Sequence, residues 1–251
     1  MNRLRVLFFI SVLCAMFITS AVAGAASVGT VTAVQGRADL TRGDDPARPV
    51  ALGDEVVIGD FLRTKSNARL EVTFIDGSVS RMSSKSRLRV TEFLFDAGER
   101  KGKIELFRGK LQSVVAGATP GSSFDVETPT AVCGVRGTTY FVWFQEGVTG
   151  GASSEGTFYV YSKGRPGEPR NVGPGQGFLV RGIDEVPIIR IATDEEMQKH
   201  FDDTATGEGD DGDEGDENGD DGTTGTVGED LAGGSGSGDG SASGGSASGF
   251  D

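Results

Sequence analysis

Between residues 28 and 182 the apolar residues come in short runs, each closed by turn-forming residues, and this pattern restricts the chain to sheets. Val28 to Val34 is rich in β-branched residues and stops at Gly36. Leu70 to Ile75 alternates apolar and polar residues, then meets Asp76-Gly77, a strong hairpin signal answered by Val79 to Met82. Leu88 to Phe93 alternates again, Ile104 to Phe107 stops at Arg108-Gly109, and Leu111 to Ala116 forms a further run. Phe124 to Glu127 precedes Thr128-Pro129, Thr138 to Phe144 is the longest β-branched and aromatic run, and Phe158–Tyr161 and Phe178–Val180 close the set. The expected fold class is all-β. Short strands of this kind build a sandwich, a barrel or a small solenoid of stacked turns, and periodicity alone does not choose among them. One short C-terminal helix is expected where Thr193-Asp194-Glu195-Glu196 forms a capping box, with Met197 and Phe201 at helical spacing. It packs on the domain edge or frays into the C-terminal tail.

The flanks differ from this core. Met1 to Arg5 carries two arginines, Val6 to Ala23 is almost entirely apolar, and Ala21-Val22-Ala23 and Ala23-Gly24-Ala25 supply small residues for cleavage. This is the pattern of a secretory signal peptide over 1–26, with the mature start between about Gly24 and Ser27. The alternative is an uncleaved anchor. Leu13 before Cys14 is too bulky for a lipoprotein signal. With the leader gone only Cys133 remains, so no intramolecular disulfide forms despite export. Residues 202–251 form a Gly/Asp/Ser-rich tail holding fifteen of the 37 acidic residues and no Lys or Arg. The remaining acids of the 27–201 domain balance its bases, so the net charge of −13 lives in the tail. No basic patch suggests nucleic acid.

No catalytic set is legible. The single histidine, His200, excludes a two-His metal site within one chain and reads as an ordinary surface residue. No cofactor motif stands in a usable context: Gly207-Glu208-Gly209-Asp210-Asp211-Gly212 fits G-x-G-x-x-G but lies in the acidic tail with no preceding strand. Asp216-Glu217-Asn218-Gly219-Asp220-Asp221 begins like a calcium loop but has Asp221 where the turn glycine belongs. The tail therefore reads as a disordered, solvated polyanion, with weak divalent-cation association as a further idea. The chain is expected not to be an enzyme.

The sharpest local segment is Thr128-Pro129-Thr130-Ala131-Val132-Cys133-Gly134-Val135-Arg136-Gly137-Thr138. Pro129 ends one strand, and Gly134 and Gly137 let the backbone turn before the next. Arg136 between them reads as held by carboxylates or carbonyls. This stretch resembles the FecR-domain family. Gly59-Asp60-Phe61-Leu62-Arg63-Thr64, Asp76-Gly77-Ser78 after the Leu70 run, Leu106-Phe107-Arg108-Gly109, and Gly173-Pro174-Gly175-Gln176-Gly177 are similar to its other ordered motifs. The resemblance covers roughly 28–182 and marks Gly59, Asp60, Asp76, Gly77, Ser78, Gly109, Thr128, Pro129, Gly134, Arg136, Gly137, Thr138, Gly175 and Gln176 as structural motif residues. Cys133 stands where a small residue is expected, so it acts as a small buried hydrophobe.

The resemblance implies an exported, solenoid-like sensory domain. Relatives that regulate sigma factors carry a cytoplasmic helical domain before the membrane segment, for which Met1 to Arg5 leaves no room, so direct sigma-factor binding is not expected. The leading reading is a sensory or protein-interaction module of the bacterial envelope, periplasmic or at the cell surface, with an unidentified envelope protein as partner. The Leu70–Ile75 hairpin and the Thr139–Phe144 strand are the candidate edges for β-augmentation. The alternative is a structural protein bound to peptidoglycan or another glycan, with the tail as an extended spacer. Trp143, Tyr159 and Tyr161 exposed on one face would favour it.

Overall fold

The computed structural model describes residues 25–117, 120–135 and 137–207, all within a unit spanning Met1–Asp210. Residues 1–24, Arg136 and the acidic tail from residue 208 on lie outside the described residues, and with them the calcium-loop-like segment and all of the G-x-G-x-x-G match but Gly207, whereas residues 202–204, expected in the tail, belong to the C-terminal helix.

The described chain is all-β with one helix, and its strands build two layers. In the first layer β4 (Glu55–Val57) pairs with β1 (Ser27–Gln35), β1 with β6 (Arg69–Phe74), and β6 with β7 (Val79–Met82). The layer continues through β9 (Glu99–Val114), β12 (Thr139–Gln145), β13 (Val148–Glu155), β16 (Gln176–Val180) and β17 (Ile188–Ile191). In the second layer β3 (Arg48–Pro49) pairs with β2 (Ala38–Thr41), then come β5 (Phe61–Thr64), β8 (Arg87–Asp96) and β9 again. β10 (Ser123–Glu127), β11 (Ala131–Val135), β14 (Phe158–Ser162) and β15 (Arg170–Val172) complete it. Every pairing is antiparallel except that of β9 with β10. The chain crosses between layers repeatedly while both grow in the same direction. That progression is the solenoid-like feature, and the face-to-face layers make it a two-sided stack.

Period-2 alternation supplies the inward face of each strand. Leu70, Val72 and Phe74 of β6, Phe124 and Val126 of β10, and Phe158 and Val160 of β14 are all buried. Aromatic contacts join the layers: Phe74 stacks on Phe93 of β8 at 4.8 Å between centroids and meets the edge of Phe124. Further along, Tyr140 of β12 packs on Phe158, which meets Phe178 of β16. One continuous core therefore runs between the layers.

The runs split by Arg108-Gly109 in the sequence are a single strand. The first half of β9 pairs in the second layer and its last residues in the first, so the strand must bend. Gly109, at φ +89°, sits at the bend, where a Cβ would collide with the Ser86 backbone and side chain. The register shift opposite it, between Arg87 and Leu88, absorbs the change.

Two expected edges are interior strands. β6 is held by β1 and β7, and β12 by β9 and β13, so neither offers a free edge. The segment after Thr128 also differs from expectation: Ala131–Val135 is a strand paired back onto Phe124–Glu127, and the turn is Thr128–Thr130. Gly134 lies within that strand, not at a turn.

The capping box forms a helix, α1 (Asp194–Thr204), with the Thr193 hydroxyl accepting from the Glu196 N–H. The Glu196 carboxylate does not return to the cap but pairs with Arg190 of β17. α1 lies on the outer face of the first layer, where Phe141 of β12 stacks on His200 and meets the edge of Phe201. His200 is 5 % exposed and not a surface residue. Its place over Phe141, which no local pattern encodes, buries it.

Candidate recognition site

The motif residues are spread along the stack and do not converge. Asp60 is buried at the turn before β5, where its carboxylate accepts from the Val57 N–H at 2.9 Å and from the Arg42 Nε and Nη2 at 2.8 Å. Gly59 beside it donates to the Val90 carbonyl. Between β6 and β7, the Asp76 carboxylate accepts from the Ser78 N–H and hydroxyl, with Gly77 at φ +83°. The Arg100 guanidinium, 3 % exposed, reaches Asp76 Oδ2 at 2.5 Å and Ser78 Oγ at 3.2 Å. The Ala116 N–H donates to the same hydroxyl. This buried cluster ties a hairpin of the first layer to the start of β9 in the second.

Further along, the Thr128 hydroxyl accepts from the Ala131 N–H and lies 2.6 Å from that of Thr149, while Pro129 is exposed at the tip. The buried Thr138 accepts through its carbonyl from Val115, directly after Gly137. Gly175 donates to the Ser153 carbonyl, and Gln176 Oε1 accepts from the Gly173 N–H. Gly134 lies under the Tyr159 ring, which a Cβ at that position would overlap. Cys133 is fully buried, and burial pushes its thiol well above the ordinary range. These residues close turns, cap strands or make room for neighbours.

Recognition must then use edges and outer faces. Among the described residues β17 has a neighbour on one side only. The Ala192 N–H donates to Gly175, so by antiparallel alternation Ile188 and Arg190 also face β16 while the amides of Ile189 and Ile191 face outward. Ile188 and Ile191 are 45 % and 82 % exposed. Sequence reasoning missed this edge because Ile188–Ile191 has no alternation of polarity.

On the first layer's outer face a groove of about 710 Å³ runs beside α1. Register places Lys110 of β9 opposite Trp143 of β12, and Trp143 opposite Gly150 of β13. The Trp143 ring occupies the room left by the missing Gly150 side chain, where a Cβ would collide with it. His200 and Lys199 of α1 line it together with Lys85 and Arg108. Tyr159 and Tyr161 stack parallel at 6.1 Å on the outer face of the second layer, beside Pro166 and Pro169. They do not share a face with Trp143. Burial raises the nearby Asp125 carboxyl, which accepts from the Tyr159 hydroxyl at 3.4 Å.

Among the described residues no group of three or more His, Cys, Asp or Glu side chains is placed to hold a metal ion, and no helix is long and apolar enough to cross a membrane. Residues 60–157 match the family model described as FecR protein. No curated protein matches the chain. Two crystal structures of a "putative anti-sigma factor" from Parabacteroides distasonis ATCC 8503 align with it, each at 20 % identity and a TM-score of 0.45. Each alignment covers 55 % of this chain and 62 % of the other, so the chain spans less than two thirds of their length.

Proposed function

Because residues 60–157 match the FecR family model, we propose that the chain is a non-catalytic sensory and protein-interaction module of the bacterial envelope, reached by export through its N-terminal apolar segment. The partner in this reading is an envelope protein, not a sigma factor, and it docks an extended segment along β17. The observation that carries the reading is the open edge of Ile188–Ile191. β17 is short, follows Pro187 and carries Arg190, yet Ile188 and Ile191 stand exposed beside the outward-facing amides of Ile189 and Ile191. Added main-chain hydrogen bonds supply affinity and the isoleucines supply side-chain contacts. The motif residues maintain the scaffold and do not touch the partner.

The test is a photo-crosslinking residue at position 191 in cells producing the full chain, with Thr32 of β1 as the control position. A discrete protein adduct at 191, absent at 32 and lost in a second chain carrying Ile189→Pro, is the expected result. Proline at 189 removes an outward N–H and leaves the ladder to β16 intact. No adduct, or equal adducts at both positions, overturns the reading.

A further inference from the structure

The groove beside α1 holds polar groups that the scaffold leaves without partners. Lys85, Arg108 and Lys199 make no ion pair among the described residues, whereas Lys110 is paired with Asp203 and Glu196 with Arg190. Among the described residues Glu146 is the one lining acid left unpaired, so the groove carries a positive excess. His200 is 5 % exposed, yet neither ring nitrogen has a hydrogen-bond partner, and Nε2 stands 3.6 Å from Glu196 Oε1, beyond bonding reach. Both nitrogens are closed off from solvent, so the ring gives the groove a wall but no open hydrogen-bonding atom. Burial pushes His200 down to about 4, so the ring is neutral near neutral pH and adds no charge to the groove.

Trp143 adds the second chemical element. One ring face lies against the backbone at Gly150, and the ring lines the groove between Lys110 and the β12–β13 turn. An aromatic face takes the flat, C–H-rich side of a sugar ring, while lysine and arginine around it attract a carboxylate. The volume, about 710 Å³, suits a ligand of a few sugar units.

We propose that this groove is a binding site for an acidic glycan, with a sugar ring stacked on Trp143 and its carboxylate met by Lys85, Arg108 and Lys199. The site is separate from the β17 edge, so either can fail without the other. Trp143 is the chain's one tryptophan, which makes its emission a direct reporter.

The full chain is titrated with a trigalacturonate probe and, in parallel, with neutral cellotriose, following Trp143 emission and heat. Saturable binding of trigalacturonate, at least about tenfold tighter than that of cellotriose and weakened by salt, is expected. Calorimetry on Trp143→Ala should show binding lost, and on the exposed pair Lys85→Gln with Lys199→Gln should show it at least about tenfold weaker. Circular dichroism checks that both variants keep the sheet spectrum. The double variant concerns exposed side chains only, so it stands if Trp143→Ala fails to fold. No saturable binding at millimolar probe, equal binding of both sugars, or undiminished binding by the folded double variant overturns the proposal.

Discussion

At the scale of residues, the cluster of Asp76, Ser78 and Arg100 is where the fold is most exposed to a single change. Both ion-pair partners are buried, at 0 % and 3 % side-chain exposure, so removing one leaves the other charge buried with no opposite charge beside it. Arg100→Met should therefore destabilise the protein by about 3–5 kcal/mol in urea unfolding. Arg100→Met with Asp76→Leu and Ser78→Ala should recover part of that loss, because no buried charge is then orphaned. A loss under about 1 kcal/mol for the single change would show that the pair is not sealed from water. Cys133 makes a second residue-scale case. It sits among core side chains with a thiol pushed far up, so little thiolate exists at neutral pH. Peptide mapping after iodoacetamide should find Cys133 unmodified in the native chain and modified in denaturant.

At the scale of elements, legibility in the sequence tracks how local the cause is. The hairpin at Asp76-Gly77 and the helix start at Thr193 depend on backbone groups within a few residues, and both were readable. The continuity of β9 through Gly109 was not, because what decides it is Ser86 on a neighbouring strand. The role of Gly134 depends on Tyr159, which faces it across the β11–β14 pairing. Which strands lie at edges depends on the whole pairing order, so interior β6 and β12 read as edges while β17 went unseen. The groove was illegible for the same reason: Trp143, Lys85 and His200 meet through register and helix docking. The docking of α1 has a pH consequence. Burial, then the Lys110 charge, lowers His200, while Glu196 and Asp203 raise it, and the balance leaves it at about 4 against an ordinary 6.5. Between those values the unfolded chain binds a proton that the folded chain refuses, so stability is complete above 6.5 and falls as pH drops toward 4. The loss over this window should be up to about 3 kcal/mol, and His200→Phe, which keeps a ring over Phe141, should flatten it in chemical unfolding at stepped pH.

At the scale of the molecule, the two layers advance together, so each strand leans mainly on its neighbours in the stack. A stack of this kind is weakest where neighbours run out. β3 and β15 end the second layer with two and three residues, and β17 ends the first with one partner and an 82 % exposed Ile191. The centre differs: β9 is held by β8, β10, β7 and β12, and it alone belongs to both layers. Opening β9 requires separating the layers, whereas opening β17 costs a single ladder and leaves the core between Phe74, Phe93 and Phe124 untouched. Native-state hydrogen exchange should therefore rank β17, β3 and β15 as fast, through local opening, and the amides of β9 and β12 as slow, through global unfolding. The ranking also bears on recognition. A terminal strand that opens at little cost can reset its pairing around an incoming segment without disturbing the core, and a bound partner should then slow exchange at β16 and β17 while leaving β9 unchanged. Uniform exchange along the stack would mean that the ends are as firmly held as the centre, and β17 would then have no mechanical advantage as the docking edge.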